Sequence, residues 1–176
     1  MQVQRLCLGL LLPIACCATS ILRLSFEQTI AQSESIVEGD VIRNWCDWDS
    51  GHRFIWTHTE IAVRGRWKGS GASSVVVSEP GGTVGNMNLD VAGMVRYTPG
   101  EHVVVFLYRT PIGFIRTVGL AQGKLQVDRA GRVHAVHPQA ALVRPAGAPS
   151  SGTSITDLES TPLTAVRDRV AREVRK

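Results

Sequence analysis

The chain has 176 residues, of which 44% are hydrophobic and 19% are charged, and its mean hydropathy is +0.05. This balance excludes a wholly disordered or collagen-like chain, and the length suits one domain rather than a multi-domain enzyme. The formal net charge of +4 is too small to favour nucleic acid as a partner.

The first element in chain order has the pattern of a secretory signal peptide over residues 1–20. Arg5 precedes an apolar run, residues 6–14, that is too short to span a bilayer as a helix, and small residues follow it. The pattern predicts an exported protein, in the periplasm, in the medium or at the cell surface. Cys16 directly after Ala15 leaves a lipid anchor open, and we expect contact with a membrane only in that case.

Residues 21–137 are predicted to form a β-barrel domain that begins with a short helix. Ser25 and Gln28 have the spacing of a capping box, and apolar residues recur behind them at helical intervals. This pattern predicts a helix over residues 26–32.

A long β-hairpin is predicted next. Two runs rich in branched and aromatic residues, 35–48 and 53–64, flank an Asp/Ser/Gly turn at residues 49–52. Side chains alternate between the two faces of a strand, so every second residue of the second arm shares the buried face. These residues are Ile55, Thr57, Thr59, Ile61 and Val63.

Shorter strands are predicted farther along the chain, separated by glycine and proline. They cover residues 74–78, 100–109, 114–118, 124–127 and 133–136. The run 103–108 is apolar on both faces, which is typical of a central strand, and residues 81–100 read as a long glycine-rich loop. Short strands with few helices predict an all-β fold, an antiparallel sandwich or a small barrel.

The C-terminal part is predicted to be a linker followed by a helix. Ala, Pro, Gly and Ser dominate residues 138–153, which is typical of a linker. A C-terminal helix is placed within residues 154–176, with Thr161 as N-cap and Pro162 in the first turn. A helix this short needs a surface to pack on, which is its own barrel, a partner protein or an anionic membrane surface. Its apolar stripe consists of Leu163, Val166, Val170 and Val174.

Several short motifs carry a resemblance to a known family. They are, in chain order, Ile36-Val-Glu-Gly-Asp-Val41, the run 63–69 that ends in Lys68-Gly69, Val75-Val-Val77, Pro99-Gly-Glu101 and Val104-Val-Phe-Leu107. In this order the chain resembles a group of uncharacterised exported bacterial proteins with a netrin/TIMP-like OB-fold domain. The resemblance implies a small antiparallel OB-like barrel with a short N-terminal helix and a C-terminal helix. Inhibitors in that superfamily use an N-terminal cysteine to chelate the zinc of a protease, whereas removal of the signal leaves this chain with Cys46 alone.

All four tryptophans fall between residues 45 and 67, on or beside the long hairpin. Such a cluster is either hydrophobic core or an exposed face that binds a sugar ring or a peptide. Trp45 and Trp48 are three residues apart, and successive side chains of a strand alternate, so we expect them on opposite faces of their strand. The candidate ligand-binding residues are Trp45, Trp48, Asp49, His52, Arg53 and Trp56.

Common catalytic motifs are missing from the sequence: it has no Gly-x-Ser-x-Gly elbow, no His-Glu-x-x-His helix and no phosphate-binding loop. We therefore expect no enzyme activity, no catalytic residue, no cofactor and no metal site. Separately, we expect the side chain of Cys46 to be buried as a small hydrophobic residue. The resulting hypothesis is an exported, non-catalytic module that binds an extracellular or periplasmic protein or a polysaccharide. Two alternatives stay open: a metalloprotease-inhibitor-like or protease-associated protein, and a lipid-anchored component of the envelope.

Overall fold

The computed structural model describes residues 20–137, 141–143 and 153–176. The predicted signal peptide lies outside these residues except for Ser20, and most of the predicted linker lies outside them too. Within the described ranges, the longest and most apolar helix still falls short of what is needed to cross a bilayer.

The described residues are mostly β-strand, with two α-helices. The strands are β1 (Ser20–Leu22), β2 (Ser35–Trp48), β3 (Ile55–Lys68), β4 (Ser74–Pro80), β5 (Gly82–Val84), β6 (Met87–Leu89), β7 (His102–Arg109), β8 (Ile115–Thr117), β9 (Lys124–Val127), β10 (Arg132–Ala135), β11 (Ala141–Val143) and β12 (Thr161–Pro162). The helices are α1 (Phe26–Gln32) and α2 (Leu163–Val174), and short 3₁₀ turns cover Leu120–Gly123 and Ile155–Leu158.

Helix α1 has the predicted bounds, residues 26–32, and the predicted capping box forms at its N-terminus. The Ser25 hydroxyl accepts a hydrogen bond from the Gln28 backbone N–H at 3.1 Å, and the Gln28 side chain accepts one from the Ser25 N–H at 2.8 Å. Phe26 and Ile30 are buried, so the helix packs on the sheet through one apolar face.

The long hairpin is formed by β2 and β3, and its predicted alternation is confirmed. Ile55, Thr59 and Ile61 are buried on the inner face of β3. A β-bulge between Val41 and Arg43 adds one residue to β2, and this leaves Ile42 52% exposed.

The main sheet has the strand order β12-β10-β9-β7-β2-β3-β4-β8, and β7 also pairs with β8. The antiparallel pairing predicted from the sequence holds for most of this sheet and is wrong for β4 and β8, which pair in parallel through Val77 and Ile115. A second parallel pair joins β1 to β11. The coarser prediction, a mostly β protein with an N-terminal and a C-terminal helix, is confirmed.

Strand β7 is central, as its two apolar faces predict. Val104 and Phe106 belong to a core shared with α1 and α2, whereas Val103, Val105 and Leu107 belong to a second core on the opposite face. The sheet therefore separates two hydrophobic cores and is buried on both sides in its middle.

Three predicted segments differ from the structure. Strand β11 lies inside the predicted linker, where it gains backbone partners from β1. A small hairpin, β5 with β6, occupies part of the predicted loop at residues 81–100. The predicted C-terminal helix begins at Leu163, with Pro162 rather than Thr161 as its N-cap, because Thr161 and Pro162 pair with β10 as strand β12.

Helix α2 packs on the described domain rather than standing free. Val166 and Val170 are buried in the core shared with α1. The Arg167 guanidinium contacts the buried Glu38 carboxylate, and Arg169 pairs with Glu27 of α1 at 3.0 Å. Apolar burial and two ion pairs thus hold the C-terminal helix in place.

Candidate functional site

The outer face of the long hairpin carries the first part of a candidate site. Trp45 of β2 lies opposite His58 of β3, which lies opposite Ser78 of β4. The indole and imidazole rings are stacked, with centroids 5.3 Å apart and planes at 27°. His58 Nδ1 and Ser78 Oγ are 2.8 Å apart, and this hydrogen bond fixes the imidazole ring.

A second aromatic pair continues this face toward β8. Trp56 lies two residues before His58 on the same face. Its ring packs edge-on against the ring of Phe114, with centroids 4.7 Å apart. Phe114 also contacts the His58 ring edge-on at 5.9 Å. The two aromatic pairs therefore form one continuous cluster that joins β2, β3 and the turn before β8.

An arginine lies at each end of this cluster. The Arg43 guanidinium is 4.9 Å from the centroid of the Trp45 ring, and the Arg116 guanidinium is 5.9 Å from that of Trp56. Arg43 is also held by Glu60 at 2.7 Å. We call this surface the aromatic face. It consists of Trp45, Trp56, His58 and Phe114 with Arg43 and Arg116.

The surroundings of His58 lower the pKa of its imidazole. Partial burial lowers this pKa, and the nearby Asp47 opposes the shift. The ring therefore adds hydrogen-bonding groups to the face without adding a charge at neutral pH.

The tip of the hairpin holds the other candidate residues predicted from the sequence. Trp48 stacks on His52 with ring centroids 5.9 Å apart, and Arg53 is exposed. Asp49 has a local structural role: its Oδ1 accepts hydrogen bonds from the backbone N–H groups of Arg53 at 2.6 Å and Phe54 at 3.0 Å. These bonds lower the pKa of the Asp49 carboxyl, and the bond from Phe54 contributes most, followed by the bond from Arg53.

The structure thus divides the six predicted residues into two groups. Trp45 and Trp56 lie on the aromatic face, whereas Trp48, Asp49, His52 and Arg53 lie at the hairpin tip. Sequence reasoning missed His58, Phe114, Arg43 and Arg116 as members of the face. The sequence does contain a signal for His58, because it lies two residues from Trp56 and so points to the same face of the strand. Phe114 and Arg116 come close to these rings only through the pairing of β4 with β8.

The tryptophans are half-buried rather than enclosed in the core. Trp67 differs from the other three tryptophans in its contacts, because it packs against the core shared with α1 and α2. Its indole N–H donates to Glu38 at 3.3 Å, and Arg167 lies over its ring at 5.5 Å. Trp67 therefore supports the docking of α2 and lies apart from the aromatic face.

A groove of about 760 Å³ borders the aromatic face. His58 and Phe114 form its rim on that side, and its apolar lining includes Val76 and Ile115. Arg66 and Arg109 give the groove a positive character. A volume of this size is typical of sites that hold a ligand.

A smaller polar cleft of about 400 Å³ opens on the inner side of the hairpin, beneath residues 81–98. Cys46 lines it with its Sγ 3.4 Å from Thr57 Oγ1, and the thiol is half-buried rather than buried as predicted. Burial raises the pKa of the Glu79 carboxyl, and hydrogen bonds from the Thr117 N–H and Arg116 oppose the shift. Both Glu79 oxygens are therefore held by groups of the protein itself, and this carboxylate supports the wall of the cleft.

Within the part of the chain that the structure describes, no group of three or more His, Cys, Asp or Glu side chains is arranged to hold a metal ion. Comparison of the chain with family models, with curated proteins and with solved structures gives no match. Function therefore has to be argued from the geometry of the surface itself.

Proposed function

We propose that the chain is an exported, non-catalytic binding module whose aromatic face contacts a protein partner. The observation that carries the proposal is the set of half-exposed rings on the outer face of β2 and β3, held in place by stacking and flanked by Arg43 and Arg116. Tryptophan and arginine are the residues most enriched among those that dominate binding energy at protein interfaces.

We further propose that β2, β3, β4, β8 and β7 form a five-stranded OB-like barrel of the netrin/TIMP-like kind. In support, each of these strands pairs with the next, and β7 pairs with both β8 and β2, so the pairings form a ring. OB-folds bind their ligands on the face of the second and third strands and on the loops beside it. In this chain the second and third strands of that barrel are β3 and β4, and the aromatic face shares β3 and the turn before β8 with that region: Trp56 and His58 lie on β3, and Phe114 lies in the turn.

A protein suits this face better than a polysaccharide. A sugar ring stacks on a free indole face, yet Trp45 already has His58 and Arg43 against its ring and Trp56 has Phe114 and Arg116. Large apolar side chains are also exposed beside the rings. They are Phe54 at 53%, Ile112 at 70% and Val76 at 38%. Exposed apolar side chains that flank rigid rings are typical of a surface that another protein covers.

The proposal is tested with the full chain immobilised and two sets of probes, a displayed library of random peptides and a panel of soluble oligosaccharides. Trp45→Ala and Trp56→Ala each remove an indole from the aromatic face, and Trp48→Ala is the matched control because it removes an indole from the hairpin tip. We expect selected peptides to lose about tenfold or more in affinity for the two face variants and to keep their affinity for the control.

Three results would contradict the proposal. One is binding of oligosaccharides with no peptide selected, which would make the partner a polysaccharide. Another is an equal loss with Trp48→Ala, which would place binding elsewhere. A third is dose-dependent inhibition of secreted metalloproteases that all three variants retain, which would favour the inhibitor-like alternative.

A further inference from the structure

One edge of β4 lacks a strand neighbour over part of its length. On one side β4 pairs with β3 at every residue from Ser74 to Pro80. On the other side it pairs with β8 at Val77 alone. Among the described residues, the stretch 74–76 therefore has no strand beside it on the β8 side, and the backbone groups of this stretch that point there are open to a further strand.

The groove of about 760 Å³ runs along this open edge. Ser74, Val75 and Val76 line it from the β4 side, and the end of β7, residues 107–109, lines it from the other. The groove thus places an open strand edge opposite a second wall, and its volume lies in the range that ligands occupy. An extended segment of polypeptide fits this arrangement because its own backbone groups can pair with those of β4.

The charges along the groove favour an acidic occupant. Arg66 and Arg109 line it, and Glu34 is the carboxylate in the same lining. The Arg109 side chain is exposed and donates one hydrogen bond, from Nη1 to the Gly113 carbonyl at 3.2 Å. Its remaining N–H donors are available to a carboxylate.

The walls of the groove are apolar next to these charges. Val76 is 38% exposed on the outer side of β4, and Tyr108 and Ile115 line the opposite wall. In an extended strand successive side chains point to opposite faces, so a segment that alternates apolar and acidic residues can present both kinds at once.

We propose that the partner of this module contributes an extended segment of alternating apolar and acidic residues, which adds to β4 as an extra strand along residues 74–76. This inference rests on the proposed function, since it names what the protein partner places beside the aromatic face. Backbone pairing supplies the affinity, and Arg109 selects for acidic side chains.

The first test uses defined peptides with the full chain. The probe is a short fluorescent peptide that alternates valine and glutamate, and its counterpart alternates valine and lysine. Two further versions of the acidic peptide are N-methylated, one at every valine and one at every glutamate, so that each blocks the N–H groups of a single edge. We expect the acidic peptide to bind, the lysine peptide to bind at least tenfold more weakly, and one methylated version but not the other to lose binding. Equal binding of the two methylated versions would overturn strand addition.

The second test locates the contact. Arg109→Glu reverses a charge in the groove, and the matched control Arg129→Glu reverses an exposed charge in the turn between β9 and β10. We expect the acidic peptide to lose affinity about tenfold for Arg109→Glu only, and hydrogen exchange to slow at residues 74–76 when the peptide is added.

The two proposals fail in different ways. If peptides from the random library bind through Trp45 and Trp56 while exchange at residues 74–76 is unchanged, strand addition is wrong and the binding function stands. If the acidic peptide does not bind at about 1 mM and no library peptide depends on the aromatic face, both are wrong.

Discussion

Replacement of Val170 by alanine tests whether α2 is an integral part of the fold. Val170 is 0% exposed and lies in the core that α2 shares with α1 and the sheet. Val174 lies four residues farther along the same helix and is 42% exposed. The same substitution at these two positions therefore differs mainly in burial.

The expected magnitude follows from the atoms removed. Valine to alanine deletes two carbon groups, which is worth about 1.6 kcal/mol at ~0.8 kcal/mol for each buried group. The cavity left behind adds to this cost, and the better helix propensity of alanine returns up to about 0.7 kcal/mol. We expect Val170→Ala to lower the free energy of unfolding by about 1.5–2.5 kcal/mol, and Val174→Ala to change it by less than about 0.5 kcal/mol.

The measurement is urea unfolding of the full chain, followed by tryptophan emission and by far-ultraviolet circular dichroism. Trp67 reports on α2 directly, since Arg167 lies over its ring. Coincident transitions with a lower midpoint for Val170→Ala alone are the expected result. Equal free energies for the two variants would refute the reasoning, because they would mean that α2 adds no burial to the folded state.

Two further predictions concern the backbone of the hairpin and the ion pairs of His134. Gly39→Ala is expected to lower the free energy of unfolding by about 1–3 kcal/mol, because the new Cβ would lie 2.3 Å from the Ala62 carbonyl oxygen. Gly65→Ala is the control, since its Cβ would have its nearest contact at 3.7 Å. We expect this control to be nearly neutral in the same urea assay. Hydrogen bonds to Asp128 and Glu159 raise the pKa of His134 above its ordinary value of 6.5. The charged imidazole therefore stabilises the fold fully below pH 6.5, and this contribution is lost as the pH rises through the raised pKa. The stability difference between the original chain and His134→Ala should therefore shrink from mildly acidic to alkaline pH, and a difference that grows with pH would contradict this sign.

Local signals in the sequence predict local structure well. The capping box gives the start of α1, the helical spacing of its apolar residues gives its extent, and the alternation of residues 53–64 gives the buried face of β3. The run 103–108 is apolar on both faces, and β7 is correspondingly buried between two cores. In each case a signal within a few residues agrees with the tertiary packing.

The errors lie where long-range pairing decides the outcome. Residues 141–143 lie in a stretch dominated by Ala, Pro, Gly and Ser, and they form a strand through pairing with β1. Thr161 and Pro162 have the residue types of a helix start, yet the backbone pairing with β10 holds them extended. Such partners are distant in sequence, so periodicity within a window cannot detect them.

The candidate site follows the same division, because the core fixes one part of it and the topology fixes the other. Alternation along β3 places Ile55 and Ile61 inward, and this leaves Trp56 and His58 outward whatever they bind. Phe114 has no such local cause, since it reaches Trp56 only because β8 returns beside β4. The meeting of β4 and β8 through a single residue pair therefore completes the aromatic face on one side and leaves an open strand edge on the other. A partner that covers the rings and adds a strand would use both consequences of one feature of the topology, and this is why the two surfaces are expected to act as one binding site.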